Sequence, residues 1–181
     1  MKTLLISLLL LTSACSFLPT KKVQEKKKAE AEKAVALKYG AVWELLSQQK
    51  IIIHLQNVDK ASPLSLVLEP GIGRKAIPAG HWELVGIEAN GKNYSSSGTS
   101  KRYVLNMKPH ADVYAGSLVV DCPKVSTRYF YLLKKMKFFN RYTFSHKGQY
   151  CEIVIGNDFE RVRSVLINSN KSKKLNLELG L

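Results

Sequence analysis

Apolar residues are distributed along this chain in three successive patterns. The first is a nearly continuous run, Leu4-Leu5-Ile6-Ser7-Leu8-Leu9-Leu10-Leu11, preceded by Lys2 and followed by the small residues Thr12-Ser13-Ala14. The run is far shorter than the ~20 residues that span a bilayer as a helix. One cation, an apolar core and small residues before a cleavable position form the layout of a secretory signal peptide over residues 1–14. The second pattern runs over residues 29–49, where Ala34, Leu37, Ala41 and Leu45 recur at three- and four-residue steps, widened by Val42 and Leu46. That spacing predicts an amphipathic helix. Residues 15–28, rich in Lys and broken by Pro19, read as a basic tether between the two.

From residue 50 the pattern alternates or runs apolar with β-branched residues, and the expected element becomes the strand. Candidates are Ile51 to Gln56, Leu64 to Glu69, His81 to Glu88, Tyr103 to Met107, Val113 to Asp121, Arg128 to Leu133, Phe138 to Phe144, Tyr150 to Ile155 and Lys174 to Leu179. Turn chemistry separates them at Asp59 to Pro63, Pro70-Gly71, Pro78-Ala79-Gly80, Asn90-Gly91, Lys108-Pro109 and Lys147-Gly148. Gly71-Ile72-Gly73-Arg74-Lys75 reads as a turn, and Asp158 as the cap of a short helix from Phe159 to Ile167. Seven to nine short strands over residues 50–181 predict a mainly β domain, a sandwich or small barrel, preceded by the N-terminal helix.

Composition changes the picture in two ways. With 28 Lys and Arg against 14 Asp and Glu, the formal charge is +14. An exported protein of that balance is expected to meet anionic envelope components, phospholipid head groups and acidic polymers, rather than nucleic acid. The three cysteines are Cys15, Cys122 and Cys151. Outside the cytoplasm a Cys122–Cys151 disulfide is the expectation, closing a loop of roughly 30 residues. Two buried thiols or a metal site are the alternatives, and neither Cys has a second ligand at metal-like spacing.

Leu11-Thr12-Ser13-Ala14-Cys15 resembles the lipobox of bacterial prolipoproteins, with Thr12 where that family favours Leu. The resemblance implies cleavage before Cys15, lipidation of Cys15 by diacylglycerol and an N-acyl group such as palmitate, and anchoring in the membrane. Ser16 after the Cys implies, in a two-membrane cell, the outer rather than the inner membrane, with the domain in the periplasm or at the surface. Two further stretches, Pro78-Ala79-Gly80-His81-Trp82-Glu83-Leu84 and Tyr114-Ala115-Gly116-Ser117-Leu118, resemble the transthyretin-like (immunoglobulin-like) sandwich domains of envelope lipoproteins. In the first, Trp82 and Leu84 are expected on one face; in the second, Tyr114, Gly116, Leu118 and Val120. This likeness implies a binding or structural role over roughly residues 50–155.

Motifs of catalysis are missing: the sequence holds no Gly-x-Ser-x-Gly, no His-Glu-x-x-His and no phosphate loop. His110-Ala111-Asp112 could set a base beside a carboxylate, and Glu83 and Glu88 are expected on opposite faces of one strand. No metal or cofactor is called for. The richest candidate stretch is Lys124 to Arg141, where basic and aromatic residues interleave, as a surface for an anionic ligand with a stacking face requires. Arg128, Lys134, Lys135, Lys137 and Arg141 are the candidate charge contacts, with Tyr131 and Phe139 as stacking surfaces. The expected function is a non-enzymatic, lipid-anchored envelope protein binding an anionic component or a partner protein. An assembly subunit of an envelope complex is the alternative, and an envelope hydrolase with an unfamiliar site the third.

Overall fold

The computed structural model describes Glu25 and residues 40–96, 101–125, 137–169 and 177–179, without the side chains of residues 137, 138, 177 and 179. The chain is mainly β. In order come β1 (Gly40–Leu45), β2 (Ile51–Asn57), β3 (Pro63–Leu68), β4 (Gly71–Ala76), β5 (Gly80–Ala89), β6 (Lys92–Ser96), β7 (Val104–Met107), β8 (Asp112–Asp121), β9 (Lys137–His146), β10 (Gln149–Asn157), α1 (Phe159–Ser169) and β11 (Leu177–Leu179). They form one sheet in the order β3-β2-β5-β6-β9-β10-β8-β1-β4, with β7 also on β5 and β11 also on β8. The sheet curls until it is nearly closed, like a barrel.

Closure gives the sheet one inner face, and a single apolar core fills it. Trp43, Leu45, Ile53, Leu55, Leu84, Ile87, Leu105, Leu118, Val120 and Ile153 belong to it, drawn from six strands. Each fully buried aliphatic side chain of this kind contributes about 1.5–3 kcal/mol of hydrophobic stabilisation. Two tight turns set the hairpin registers: Asn90-Gly91 and Lys147-Gly148 both have positive φ at each residue, the type I′ geometry that matches strand twist.

The segment read as the end of a helix is partly strand. Gly40–Leu45 is β1, with β4 antiparallel on one edge and β8 parallel on the other, and all six residues are buried. Ala41, Trp43 and Leu45 enter the core, a period of two that coexists in the sequence with the helical one. Residues 29–39 lie outside the described residues. Gly71 to Lys75, read as a turn, lie in strand β4, because pairing with β1 along its whole length outweighs the poor strand propensity of its glycines. The stretch 92–96, for which no element was expected, is β6; Arg128 to Leu133 lies outside the described residues.

Two bulges overturn the expected faces. In β8, Gly116 has φ 116° and the register against β1 slips there by one residue. Leu118 and Val120 therefore enter the main core, whereas Tyr114 belongs to the outer cluster. A Cβ on Gly116 would stand 2.5 Å from Ile155 Cγ2, so both conformation and space require glycine. In β5 the register against β2 slips between Leu84 and Gly86. Trp82, Leu84, Ile87 and Ala89 are all in the core, which leaves Glu83 and Glu88 on the same outer face rather than on opposite ones.

The outer face of β1, β4 and β8 is covered by α1. Val162 is fully buried there with Val42 and Tyr114, flanked by Ile72, Phe159 and Leu166. Beside this patch lies a polar chain of hydrogen bonds. The Asp158 N–H donates to the Tyr114 hydroxyl oxygen at 3.1 Å, Tyr114 and Ser117 are linked at 2.8 Å, and Ser117 Oγ donates to Glu44 Oε2 at 2.6 Å. Arg161 donates to Glu44 and to Asp158. Its pKa is held above the ordinary arginine value, chiefly by the hydrogen bond to Glu44, against the opposing effect of burial and with further help from Asp158.

Cys122 and Cys151 are joined by the expected disulfide, their Cα atoms 4.2 Å apart. It extends the β8–β10 ladder one step beyond the Asp121–Glu152 pair. Replacing both cysteines by Ala should cost about 3–4 kcal/mol for a loop of this size, and lower Tm by ~6–16 °C; an unchanged thermal midpoint would contradict a constraining role. The Arg161→Met variant leaves the Glu44 carboxylate buried with only Ser117 as a donor. The expected loss is ~2 kcal/mol, below the 3–5 kcal/mol of a wholly buried pair because the Arg161 side chain is 46% exposed. Hydrogen exchange checks this, since α1 should lose protection before the β8–β10 ladder does.

Candidate functional site: a cleft between β7 and β9

Strand β9 pairs with β10 throughout, but β6 reaches it only at Ser95↔Ser145 and Ser96↔Phe144. Strand β7 pairs with β5 at Gly80↔Met107 to Glu83↔Val104. Among the described residues, no strand joins β7 to the first part of β9, and the sheet they form is open there. The opening is a cleft of about 570 Å³, lined by Arg102, Tyr103, Val104, Phe139, Asn140, Tyr142, Ile155 and Asn157. That volume falls in the range of small-molecule sites, ~300–1,000 Å³.

Its floor is aromatic. Tyr103 and Tyr142 meet edge to face with centroids 5.6 Å apart, and Tyr103 also leans on Trp43 at 6.1 Å. The Tyr103 hydroxyl donates to the Ala115 carbonyl, which fixes the ring over the bulge of β8. Burial, followed by the neighbouring Tyr142 and Tyr114, pushes the Tyr103 phenol well above its usual pKa; burial also raises that of Tyr142.

The rims carry positive charge and exposed apolar surface. Lys101 Nζ donates to Asn140 Oδ1 at 2.7 Å, spanning the cleft. Arg102 lies 3.4 Å from Glu83, and its side chain remains 70% exposed. On the opposite rim Arg141 sits 6.0 Å from the Phe139 ring centroid and 3.6 Å from Glu152. Val104 and Phe139, one on each side, are about two-fifths exposed. Such an arrangement can stack a ligand, receive its apolar part and attract its negative charge.

Of the residues singled out in the sequence, Phe139 lines this cleft, Arg141 lies beside the Phe139 ring without lining it, and Lys137 begins the same strand, its side chain not described. Arg128, Tyr131, Lys134 and Lys135 lie outside the described residues, as does Cys15. Cys122 and Cys151 brace the far end of β10 through the disulfide. Lys101, Arg102, Tyr103, Val104, Asn140, Tyr142, Ile155 and Asn157 had not been singled out. A signal existed in Lys101-Arg102-Tyr103, a second place where basic and aromatic residues adjoin. The other members are brought in by strand pairing.

The other candidates stand apart. Asp112 accepts from the Gly40 N–H at 2.8 Å and from Arg74 Nε at 2.7 Å, so this carboxylate is occupied by strand and rim contacts. His54 Nδ1 lies 2.9 Å from Ser65 Oγ, a cross-strand contact on an exposed sheet face. Among the described residues, no three His, Cys, Asp or Glu side chains gather as metal ligands.

The buried tyrosines make stability sensitive to alkali. Above the ordinary tyrosine pKa of about 10 the unfolded chain releases its phenolic protons, whereas the native chain keeps that of Tyr103. The unfolded state then binds fewer protons, so stability falls as pH rises, by ~1.4 kcal/mol per pH unit for Tyr103. Urea midpoints measured on either side of that pH should decline, and less steeply in Tyr103→Phe; equal slopes would show that Tyr103 does not titrate differently in the two states. The chain matches no family model, no curated protein and no solved structure.

Proposed function

We propose that this chain is a lipid-anchored envelope protein, acting by binding rather than catalysis, whose basic β domain holds an anionic envelope component at the cleft between β7 and β9. The single observation that carries the binding part is the composition of that cleft. It has an aromatic floor of Tyr103 and Tyr142, apolar shoulders at Val104 and Phe139, and the cation Arg102 in its lining, with Lys101 bonded to Asn140 and Arg141 beside the Phe139 ring. The formal charge of +14 favours the same ligand class at longer range. Lys134, Lys135 and Lys137 precede Phe139 and Arg141 in the chain and belong to the proposed contact surface.

The anchoring part rests on the Leu4 to Cys15 segment and its resemblance to the lipobox, with the outer membrane as the proposed destination. Three acyl chains exceed the two signals that stable anchoring requires. The transthyretin-like sandwich belongs to the same proposal and rests on the resemblance carried by Pro78 to Leu84 and Tyr114 to Leu118; in the sheet order β6 meets β9 over only two residue pairs.

Two measurements test the reading separately. Intact mass of protein extracted from membranes should show Cys15 as the acylated N-terminus, and an unacylated chain beginning elsewhere removes the anchor. Binding to vesicles containing phosphatidylglycerol, over phosphatidylcholine alone, should weaken with salt and fall by about tenfold or more in Arg102→Glu/Arg141→Glu. Undiminished binding in that folded variant removes the cleft from the proposal.

A further inference from the structure

The sheet ends on β3 and β4, and the two end strands are built differently. A strand edge offers unpaired N–H and C=O groups to any second strand, and proteins commonly blunt it with charged side chains, prolines or bulges. Strand β4, Gly71-Ile72-Gly73-Arg74-Lys75-Ala76, carries two cations and two glycines. Strand β3, Pro63-Leu64-Ser65-Leu66-Val67-Leu68, carries no charge, in a chain of which 23% is charged. Its proline stands at the first position, which leaves the five residues after it able to pair.

The register on β2 decides where the backbone groups of β3 point. The Asn57 N–H donates to the Ser62 carbonyl at 2.9 Å, one step beyond the Gln56↔Pro63 pair. Antiparallel pairs alternate between those that exchange hydrogen bonds and those that do not. Counted on from Asn57 and Ser62, the bonded pairs are therefore Leu55↔Leu64, Ile53↔Leu66 and Ile51↔Leu68. Pro63, Ser65 and Val67 turn their backbone groups to the other side, where among the described residues no strand pairs with them. The proline fits this parity, because its missing N–H is one that β2 does not use. After Leu68 the chain passes through Glu69 and Pro70 into β4, which pairs with β1 and not with β3.

Side chains divide in the same way. Leu66 and Leu68 are buried in the core, and Leu64, half-buried, packs against it. Ser65 and Val67 are exposed on the outer face, where Ser65 Oγ meets His54 Nδ1.

We propose that the edge of β3 is a self-association site, at which the β3 strands of two copies of this chain pair antiparallel about a two-fold axis at Leu66, so that one sheet runs through both. Parity sets the register, since residues that turn their backbone outward must stand opposite each other. With the axis at Leu66, Ser65 of each copy meets Val67 of the other. An axis at Ser65 would set Pro63 opposite Val67 and leave both Val67 carbonyls without a donor. An axis at Val67 would run the pairing into the turn at Glu69 and Pro70. On the inner face the Leu66 axis places Leu64 opposite the other copy's Leu68, which covers the part of Leu64 left exposed in one chain. A second copy is the fitting occupant because no like charges meet across this pair, whereas β4 paired with itself would bring Arg74 and Lys75 together in a chain of formal charge +14. Strand β3 supplies none of the lining of the β7–β9 cleft, so the inference stands apart from ligand binding there.

The test uses the full chain with Cys15→Ser, which rules out an intermolecular disulfide at that residue. Sedimentation equilibrium from micromolar to millimolar protein should show a monomer–dimer equilibrium that tightens as salt is added, because screening weakens the repulsion between two basic copies. Residue-level amide exchange should find Leu64, Leu66 and Leu68 protected at every concentration, and Ser65 and Val67 protected only as the dimer forms. Val67→Pro removes a donor from the outward side alone and should weaken the dimer about tenfold or more, with the protection of Leu64 and Leu66 retained. Val67→Lys, which puts a cation on the edge, serves if that variant does not fold. A monomer at all concentrations overturns the proposal, as does a dimer in which Ser65 and Val67 stay unprotected or which neither variant weakens. Protection of Ser65 and Val67 that appears only when another envelope protein is added gives the edge to a different partner and overturns the second copy.

Discussion

The buried carboxylate of Glu44 is the constraint around which one side of this molecule is arranged. It sits on a central strand, among residues that are otherwise apolar, where an unpaired charge would be costly. Ser117 from β8 and Arg161 from α1 both donate to it. A strand, its parallel neighbour and the covering helix are thereby fixed to one atom. The helix cannot slide without uncovering Val162 and removing the cation from Glu44 at the same time. Fully satisfied, such a network specifies a position more sharply than apolar contact alone.

The same neighbourhood governs the interior. Ser117 can face Glu44 only because Gly116 absorbs an extra residue in β8, and that bulge returns Leu118 and Val120 to the core. It also leaves the Ala115 carbonyl for Tyr103, which carries the aromatic floor of the β7–β9 cleft. Outer network, inner packing and candidate site thus meet at three consecutive residues. The disulfide at Cys122 and Cys151 secures the far end of the same β8–β10 pair.

A sheet that curls until it is nearly closed has surface features a closed one lacks. Where β7 and β9 separate, aromatic side chains of the core become accessible between cationic rims. Where β3 and β4 separate, a small cavity is lined by Trp43, Leu45, Leu68 and the first residues of β4. Both openings follow from strands that stop short of pairing.

Local chemistry was legible in the sequence. Alternation located β2, β3, β5, β7, β8, β9 and β10 to within a few residues, since each has one face in the core. Asn90-Gly91 and Lys147-Gly148 marked their hairpins because the required positive φ is a property of those residues themselves. The cysteine pair followed from number and expected compartment. Tertiary structure alone decided the rest. Gly40–Leu45 satisfies helical and strand periods alike, and only its two partner strands choose between them. A bulge reverses every face beyond it, so the sides assigned to Tyr114 and Glu88 depended on a register that no local pattern encodes. Phe139 and Arg141 were visible as a basic and aromatic pair, but Arg102, Tyr103 and Val104 face them only because the sheet curls. Strand pairing joins residues far apart in the chain, and that is where sequence pattern ends and the fold begins.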